Sequence, residues 1–182
     1  MYIRTEIDQQ LDDLISKYNY IAFFSNDSEI STEDTLALKT KLFRVAVTPT
    51  RSNQNLIIPY TISSSQYCPN STVASASSNT QFTLVDANGF AVGDRIQIRI
   101  PGNYLDRKVS AKSGNIITVS ESIGSTLTSG IEVITKCTQV ALIRDGSSGL
   151  DTGSLAFIFP EDFAKKEGST ITGVMTIPMK GT

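Results

Sequence analysis

The sequence predicts a mainly β protein, in which a β-sandwich carries an N-terminal α-helix and an inserted small β-barrel. Three observations predict this class. Short apolar runs of strand length recur along most of the chain, and turn-forming residues separate them. The chain holds 22 Ser and 20 Thr but no Trp, a balance that favours strands and turns. A polar stretch then divides the strands into two groups of different character.

The first predicted element is a helix. Thr5 is a residue type that caps helices, and Asp8 follows three residues later. Apolar side chains then recur at the spacing of one helical face, at Ile7, Leu11, Leu14, Ile15 and Tyr18. This stripe packs either in the core of its own chain or against a neighbouring copy, and the sequence leaves both open.

Six strand-like segments predict the sandwich, which we call the host domain and assign to residues 1–66 and 139–182. Residues 26–41 are predicted to be a long loop, and Pro59 marks an edge or a bulge because proline has no amide hydrogen. The six segments are YIAFFS (20–25), LFRVAVTP (42–49), NLIIPYTIS (55–63), QVALIRD (139–145), SLAFIFP (154–160) and TITGVMTIPM (170–179).

Residues 67–80 read as a polar linker, and residues 81–136 as the inserted barrel. Five short strands with turn signals between them predict a small closed or half-closed barrel. They are FTLVD, RIQIRI, RKVSA, IITVSE and IEVITK. In RIQIRI, alternation predicts that Ile96, Ile98 and Ile100 face the core while Arg95, Gln97 and Arg99 face water.

The two cysteines, Cys68 and Cys137, flank the inserted segment. An insertion is tolerated where its two ends lie close together, so we expect these residues to be neighbours in space. They form either a disulfide or two free thiols, and the sequence does not decide between these.

Composition argues against several classes of function. The chain has no histidine, which is the side chain most used for acid–base catalysis near neutral pH and a common metal ligand. Its net charge is −2 and its 16 basic residues are dispersed, so we expect no nucleic-acid binding. There is no apolar run of about 18 residues and no signal-peptide pattern, so we expect no membrane insertion. We also expect no catalytic residues, no cofactor and no metal.

Two acidic groups have the residue types of a functional site, and each has a plainer structural explanation. Asp145 and Asp151 in RDGSSGLDTG suit a calcium loop by residue type, but their spacing favours a hairpin connection. Glu29, Glu33 and Asp34 suit an acid–base pair by residue type, but such a polar run favours a solvated surface loop.

Two features of the barrel likewise suit either a functional site or a structural role. GFAVGD has the glycine spacing of a phosphate loop, but it lacks the Gly-Lys-Ser/Thr end and precedes a strand, which favours a structural turn. A group of basic residues on the barrel strands suits anionic glycans, but such charges are also ordinary on a solvated strand face. The basic residues are Arg95, Arg99, Arg107 and Lys108, and Tyr104 would stack on a sugar.

The host segments KYNYIAFFSNDSE, KLFRVAVTP, VALIRDGSSGLDTGSLAFIFP and KKEGSTITGVMTIPM resemble a class of tailed-bacteriophage virion proteins. In that class an N-terminal helix leads into a "YIALF"-like strand and an "R-x-A-V" strand, and the chain ends in a strand pair. The segment FTLVDANGFAVGDRIQI, followed by GNIITVSESI and GIEV, resembles small modules of phage tail proteins. Pro178-Met179 stands where such chains continue with an aliphatic residue.

The resemblance implies a non-enzymatic structural protein of the virion, assembled in the bacterial cytoplasm and located in the tail, baseplate or fibre-attachment region. Its partners would be other copies, as a trimer or a sixfold ring, and neighbouring virion proteins. The alternatives are a capsid decoration protein and a receptor module that binds a host surface glycan. The segments NLIIPYTIS and SLAFIFP have no lysine, so we expect one of these edges, or the helix, to be covered by another chain.

Overall fold

The computed structural model describes residues 2–25, 40–144 and 155–179. The described residues form one helix and thirteen strands. In chain order these are α1 (Tyr2–Lys17), β1 (Tyr20–Ser25), β2 (Thr40–Ala46), β3 (Thr50–Ser52), β4 (Asn55–Ile62), β5 (Asn70–Ala76), β6 (Gln81–Leu84), β7 (Arg95–Ile100), β8 (Asn103–Ser113), β9 (Ile116–Val119), β10 (Glu132–Thr135), β11 (Cys137–Ile143), β12 (Leu155–Phe163) and β13 (Ile171–Pro178). The mainly β class, the helix and the barrel are as predicted.

The sandwich consists of a four-stranded antiparallel sheet, ordered β12-β11-β1-β2, and a three-stranded one, ordered β13-β4-β3. Their facing sides enclose one core, and Phe23 of β1 lies in it with its ring 4.8 Å from that of Phe43 and 5.8 Å from that of Phe163. The buried members of this core are Ile7, Leu11, Ile21, Phe23, Val45, Val47, Leu56, Ile58, Ile62, Cys137, Val140, Leu142 and Ile177.

Helix α1 covers this core with its predicted stripe. Ile7 and Leu11 are buried in the core, and Ile15 and Tyr18 pack against it. Four of the five predicted stripe residues therefore pack in the core of their own chain, while Leu14 is half-buried outside this cluster. The predicted cap at Thr5 is wrong in position, because the helix already begins at Tyr2. Ile3 stands four residues before Ile7, so the apolar spacing continues one turn further back.

The barrel is closed by six strands in the order β10-β5-β6-β9-β8-β7, and pairing of β10 with β7 completes the ring. Its core is separate from that of the sandwich, because no residue belongs to both. The buried members of the barrel core are Val73, Phe82, Leu84, Ala87, Phe90, Ile96, Ile98, Val109, Ile117, Val119, Ile123, Leu127 and Val133.

The sequence predicted five barrel strands and missed β5. Residues 70–76 of the predicted linker form this strand, which pairs with β6 and β10, so the polar linker is wrong over that range. In NSTVASA only Val73 is a large apolar residue and is buried, and the other positions are small or polar. A strand with a single apolar anchor has no visible alternation, so composition alone suggested a linker.

The barrel interrupts the sandwich at one place. The chain leaves β4 at Ile62 and returns at β11, and the backbone N–H of Thr135 donates to the carbonyl of Pro69 at 2.8 Å. The two ends of the insertion are therefore adjacent, as insertion into a host fold requires. The second part of the host begins at Cys137, two residues before the predicted boundary, because Cys137 packs in the sandwich core.

Two further differences concern short or distant pairings. The sequence missed β3, which pairs with β4 through a turn in which Asn53 has a φ of 55°. The resemblance implied a terminal strand pair, but β12 and β13 lie in different sheets.

Of the predicted loop 26–41, residues 26–39 lie outside the described residues, and residues 40 and 41 belong to β2.

Candidate functional site

Among the described residues, none on the outer side of the three-stranded sheet is charged, and we call this side the uncharged face. Register places Val174 of β13 opposite Pro59 of β4, with threonines around them. Successive side chains of a strand point to opposite sides, so alternate residues of β3, β4 and β13 form this face. All of them are exposed or half-buried, and they are Thr50, Ser52, Asn55, Ile57, Pro59, Thr61, Thr172, Val174, Thr176 and Pro178.

The single charged residue of these three strands points away from the uncharged face. Arg51 of β3 is opposite the buried Leu56, and its guanidinium pairs with Asp8 at 3.1 Å and Asp12 at 3.4 Å on the helix. Strands exposed to water commonly carry charged side chains, which oppose association. Val174 is nevertheless 62% exposed at the centre of β13. This surface therefore has the composition of a contact surface.

An open groove of about 600 Å³ adjoins the uncharged face. Residues 46–48, just after β2, line one side, while residues 59–61 and 172–174 line the other. None of the described residues that line this groove is charged. It therefore extends the uncharged surface toward the four-stranded sheet.

The two segments predicted to be uncovered sheet edges occupy different positions in their sheets. The segment NLIIPYTIS is β4, the central strand of its sheet, and β3 pairs only with its first residues, as far as Ile57. Pro59 lies beyond the part of β4 that pairs with β3, so its missing amide hydrogen removes no hydrogen bond to β3. Residues 155–160 of the segment SLAFIFP belong to β12, which ends the four-stranded sheet within the described part of the chain. Whether another chain covers either segment stays a prediction.

The predicted basic face of the barrel has mixed charge. Arg95, Gln97 and Arg99 point outward as predicted, with Lys108 opposite Arg95 and Tyr104 opposite Arg99. Asp106 lies on the same side opposite Gln97, and Glu132 of β10 pairs with Arg99 at 3.2 Å. These carboxylates offset part of the positive charge.

Arg107 does not belong to that outward face. It is opposite Ile96 in the register and therefore lies on the side of the strand that faces the barrel core. Its guanidinium donates to the carbonyl oxygen of Ser122 at 2.6 and 3.0 Å. Arg107 thus holds the loop that follows β9, which is a structural role.

Tyr104 is the exposed aromatic residue that the sequence singled out for sugar stacking. Tyr104 is 65% exposed at the start of β8, and the guanidinium of Arg99 lies 5.7 Å from the ring centroid. A ring that is exposed and held by a cation on the same strand pair has the geometry for stacking on a flat apolar surface.

A polar cleft of about 280 Å³ lies where the barrel meets the sandwich. Lys136, between β10 and β11, is only 7% exposed in its side chain and bridges Asp106 of the barrel (2.6 Å) and Asp162 of β12 (2.5 Å). Burial alone would lower the pKa of Lys136, but hydrogen bonds and attraction from the two carboxylates outweigh burial and raise it. No sequence pattern predicted these two ion pairs, which join the two parts of the fold.

The same cleft holds Glu161, whose pKa is raised by burial. Burial and the nearby carboxyl of Glu161 also raise the pKa of the Tyr60 hydroxyl. Lys166 and Glu132 form a second ion pair between the sandwich and the barrel. The charged groups at this junction therefore fix the barrel against the sandwich.

The predicted phosphate-loop fragment GFAVGD is a structural turn. Gly93 has a φ of 95°, which favours glycine, and the buried carboxylate of Asp94 accepts a hydrogen bond from the N–H of Ala91 at 2.7 Å. Gly89 has a φ of 83°, and a Cβ there would lie 2.9 Å from the Pro69 side chain. Both glycines serve the packing of this turn.

The two cysteines are neighbours, as predicted, and they are free thiols. Both are buried at the base of the barrel, and the Cys68 sulfur accepts hydrogen bonds from the backbone of Lys165 and of Cys137. Burial raises the pKa of both thiols, and the proximity of Cys68 adds to the effect at Cys137. Two protonated, enclosed thiols are poor nucleophiles.

We therefore expect Cys68 and Cys137 to react with a maleimide at least about a hundredfold more slowly in the native protein than in denaturant. Intact-mass measurement over time checks this. The control is Ser110→Cys, an exposed position on β8, which should react promptly in the native protein. Prompt double labelling of the unmodified native chain would contradict the burial of the two thiols.

The remaining candidates have no structural test. Asp145 and Asp151, and Glu29, Glu33 and Asp34, lie outside the described residues. Within residues 2–25, 40–144 and 155–179, no group of three or more acidic or cysteine side chains has the geometry to hold a metal ion. Among those same residues, no helix has the length and apolar character needed to span a membrane.

Comparison of the chain with protein-family models, with curated proteins and with solved structures gave no match. Its function must therefore be argued from its own residues and their arrangement.

Proposed function

We propose that this chain is a non-enzymatic structural component of a tailed-phage particle, in the tail, baseplate or fibre-attachment region. It acts by docking to other copies of itself and to neighbouring virion proteins. The observation that carries the proposal is the uncharged face, whose ten outward residues include no charge on a chain with 19% charged residues. Structural proteins that assemble need such surfaces, because burying an unpaired charge at an interface is costly.

The sequence resemblance supplies the setting. The helix, the YIAFFS strand and the RVAV strand occur in the order that characterises the virion proteins described above, as α1, β1 and β2. The barrel stands out from the sandwich as a second module with its own core, which suits a protein with several contacts in an assembly.

Mass spectrometry of purified particles tests the proposal. Particles are purified from a culture of the phage that encodes the chain, and heads are separated from tails. We expect a fixed number of copies per particle, in the tail fraction. Recovery only with heads would favour the capsid decoration alternative, and absence from both fractions would refute a role in the virion.

A second candidate function, recognition of a host surface glycan, is favoured by the exposed Tyr104 beside Arg99. If the barrel binds sugar there, Tyr104→Ala should weaken binding about fivefold, since a stacked ring contributes on the order of 1 kcal/mol. Calorimetric titration with host polysaccharide checks this, with Tyr67→Ala as the control at another exposed tyrosine. No measurable binding by the unaltered protein removes this candidate.

A further inference from the structure

We infer that the barrel is a hinged module, and that the ion pairs of Lys136 and Lys166 latch it to the sandwich at the angle seen in this structure. The hinge is the pair of chain crossings between the two modules. This inference goes beyond the proposed function, because it concerns a movement within the isolated chain and holds whether or not the chain belongs to a virion.

The first crossing leads from β4 to β5, and most of it is fixed to the sandwich. The buried ammonium of Lys165, which lies between β12 and β13, donates to the carbonyl oxygens of Ser63 at 2.9 Å and Gln66 at 2.6 Å. The backbone N–H of Cys68 donates to the carbonyl oxygen of Lys165 at 2.9 Å. Residues 63–68 are therefore held by the sandwich, and the barrel begins directly after them.

The second crossing is a single residue. Strand β10 of the barrel ends at Thr135 and β11 of the sandwich begins at Cys137, so Lys136 alone lies between them. The N–H of Thr135 bonds to the carbonyl oxygen of Pro69 on the other crossing, so the two crossings lie side by side. Two adjacent covalent links prevent separation of the modules, but they leave rotation about the line that joins them to be restrained by other contacts.

Charged side chains supply that restraint. The Lys136 ammonium lies 2.6 Å from a carboxylate oxygen of Asp106 on β8 and 2.5 Å from one of Asp162 on β12. Lys166 of the sandwich pairs with Glu132 of β10. Both sets of ion pairs connect a barrel strand to the sandwich, so a turn of the barrel about the crossings pulls them apart.

The rest of the junction is suited to movement. The two modules have separate apolar cores, so a turn of the barrel removes no member from either core. The cleft of about 280 Å³ between the modules is lined by polar and charged residues, which water can solvate as the cleft widens. Modules that meet through small polar interfaces move relative to each other unless specific contacts hold them. Removal of the charges therefore frees the barrel and leaves both modules folded.

Pulsed electron paramagnetic resonance tests the latch by measuring the distribution of distances between two nitroxide labels. The labels are attached at Ser110→Cys on the barrel and Val174→Cys on the sandwich, which are both exposed, whereas the natural cysteines are buried. With the natural charges we expect one narrow distribution. In the unlatched variant, which combines Asp106→Ala, Asp162→Ala and Lys166→Ala, its width should at least about double, because the restraint on rotation is lost.

The matched control is Arg51→Ala, labelled at the same two positions. The Arg51 guanidinium also bridges two carboxylates, those of Asp8 and Asp12, but all three residues belong to the sandwich and its helix. We therefore expect the narrow distribution to remain in this control.

Hydrogen exchange separates movement of the barrel from unfolding, since peptides from both cores should stay protected in every variant. If the unlatched variant loses protection, Asp162→Ala alone takes its place, because Asp162 is the most exposed of the substituted side chains, and its distribution should still widen. The inference is overturned if the folded variant is as narrow as the natural chain. It is also overturned if Arg51→Ala widens equally, or if the natural chain is already as broad as the variant.

Discussion

Replacing Ile98 by aspartate is expected to unfold the barrel, whereas replacing the adjacent Arg99 by alanine is expected to leave it folded. Ile98 is fully buried between Leu105 of β8 and Val133 of β10. Losing its buried side chain costs about 2–5 kcal/mol, and enclosing a carboxyl without a partner adds several kcal/mol more. The side chain of Arg99 lies at the surface and pairs with Glu132, so its loss should cost less than about 1 kcal/mol.

Hydrogen exchange measured by mass spectrometry locates the effect of each substitution. In Ile98→Asp we expect peptides from residues 70–135 to lose protection while peptides from the sandwich strands keep it. Arg99→Ala should retain protection in both. Similar loss of protection in the two variants would mean that Ile98 and Arg99 are not on opposite sides of β7.

Excising the barrel is expected to leave a folded sandwich. The cluster that forms the sandwich core includes no residue between 70 and 135, so the excision removes no member of that core. Pro69 and Thr135 are joined by a backbone hydrogen bond of 2.8 Å, so a short Gly/Ser segment can replace residues 70–135 without displacing the host strands. Lys136 loses Asp106 but keeps Asp162 and gains water.

Circular dichroism and thermal unfolding check the excised chain, for which we expect a cooperative transition and strand content. The matched control is excision of residues 81–136, the boundaries predicted from the sequence. That variant retains β5 without its partners and removes Lys136, so we expect it to be less soluble. A wholly unfolded product of the 70–135 excision would show that the barrel is part of a single core.

Local patterns in the sequence predicted the elements with strong periodicity. The stripe from Ile7 to Tyr18 predicted the helix, and the alternation in RIQIRI predicted which side of β7 is buried. Elements with few apolar residues were missed, as β5 has one large apolar residue and β3 has only three residues. Alternation needs several apolar positions before it differs from a polar loop.

The candidate site was only partly predictable, because it depends on pairing between distant segments. The absence of lysine from NLIIPYTIS indicated a contact surface, but its full extent required β13, whose Val174 pairs with Pro59 more than 100 residues earlier. The Lys136 junction likewise joins Asp106 and Asp162, which only the fold brings together. No local pattern carries such information.

Electron cryomicroscopy of the purified phage particle tests the central claim most directly. The account predicts ordered density for copies of this sandwich and barrel in the tail, baseplate or fibre-attachment region, with the face around Val174 and Pro59 covered by protein. Absence of the chain from the particle, or copies whose uncharged face is open to solvent throughout, would contradict it.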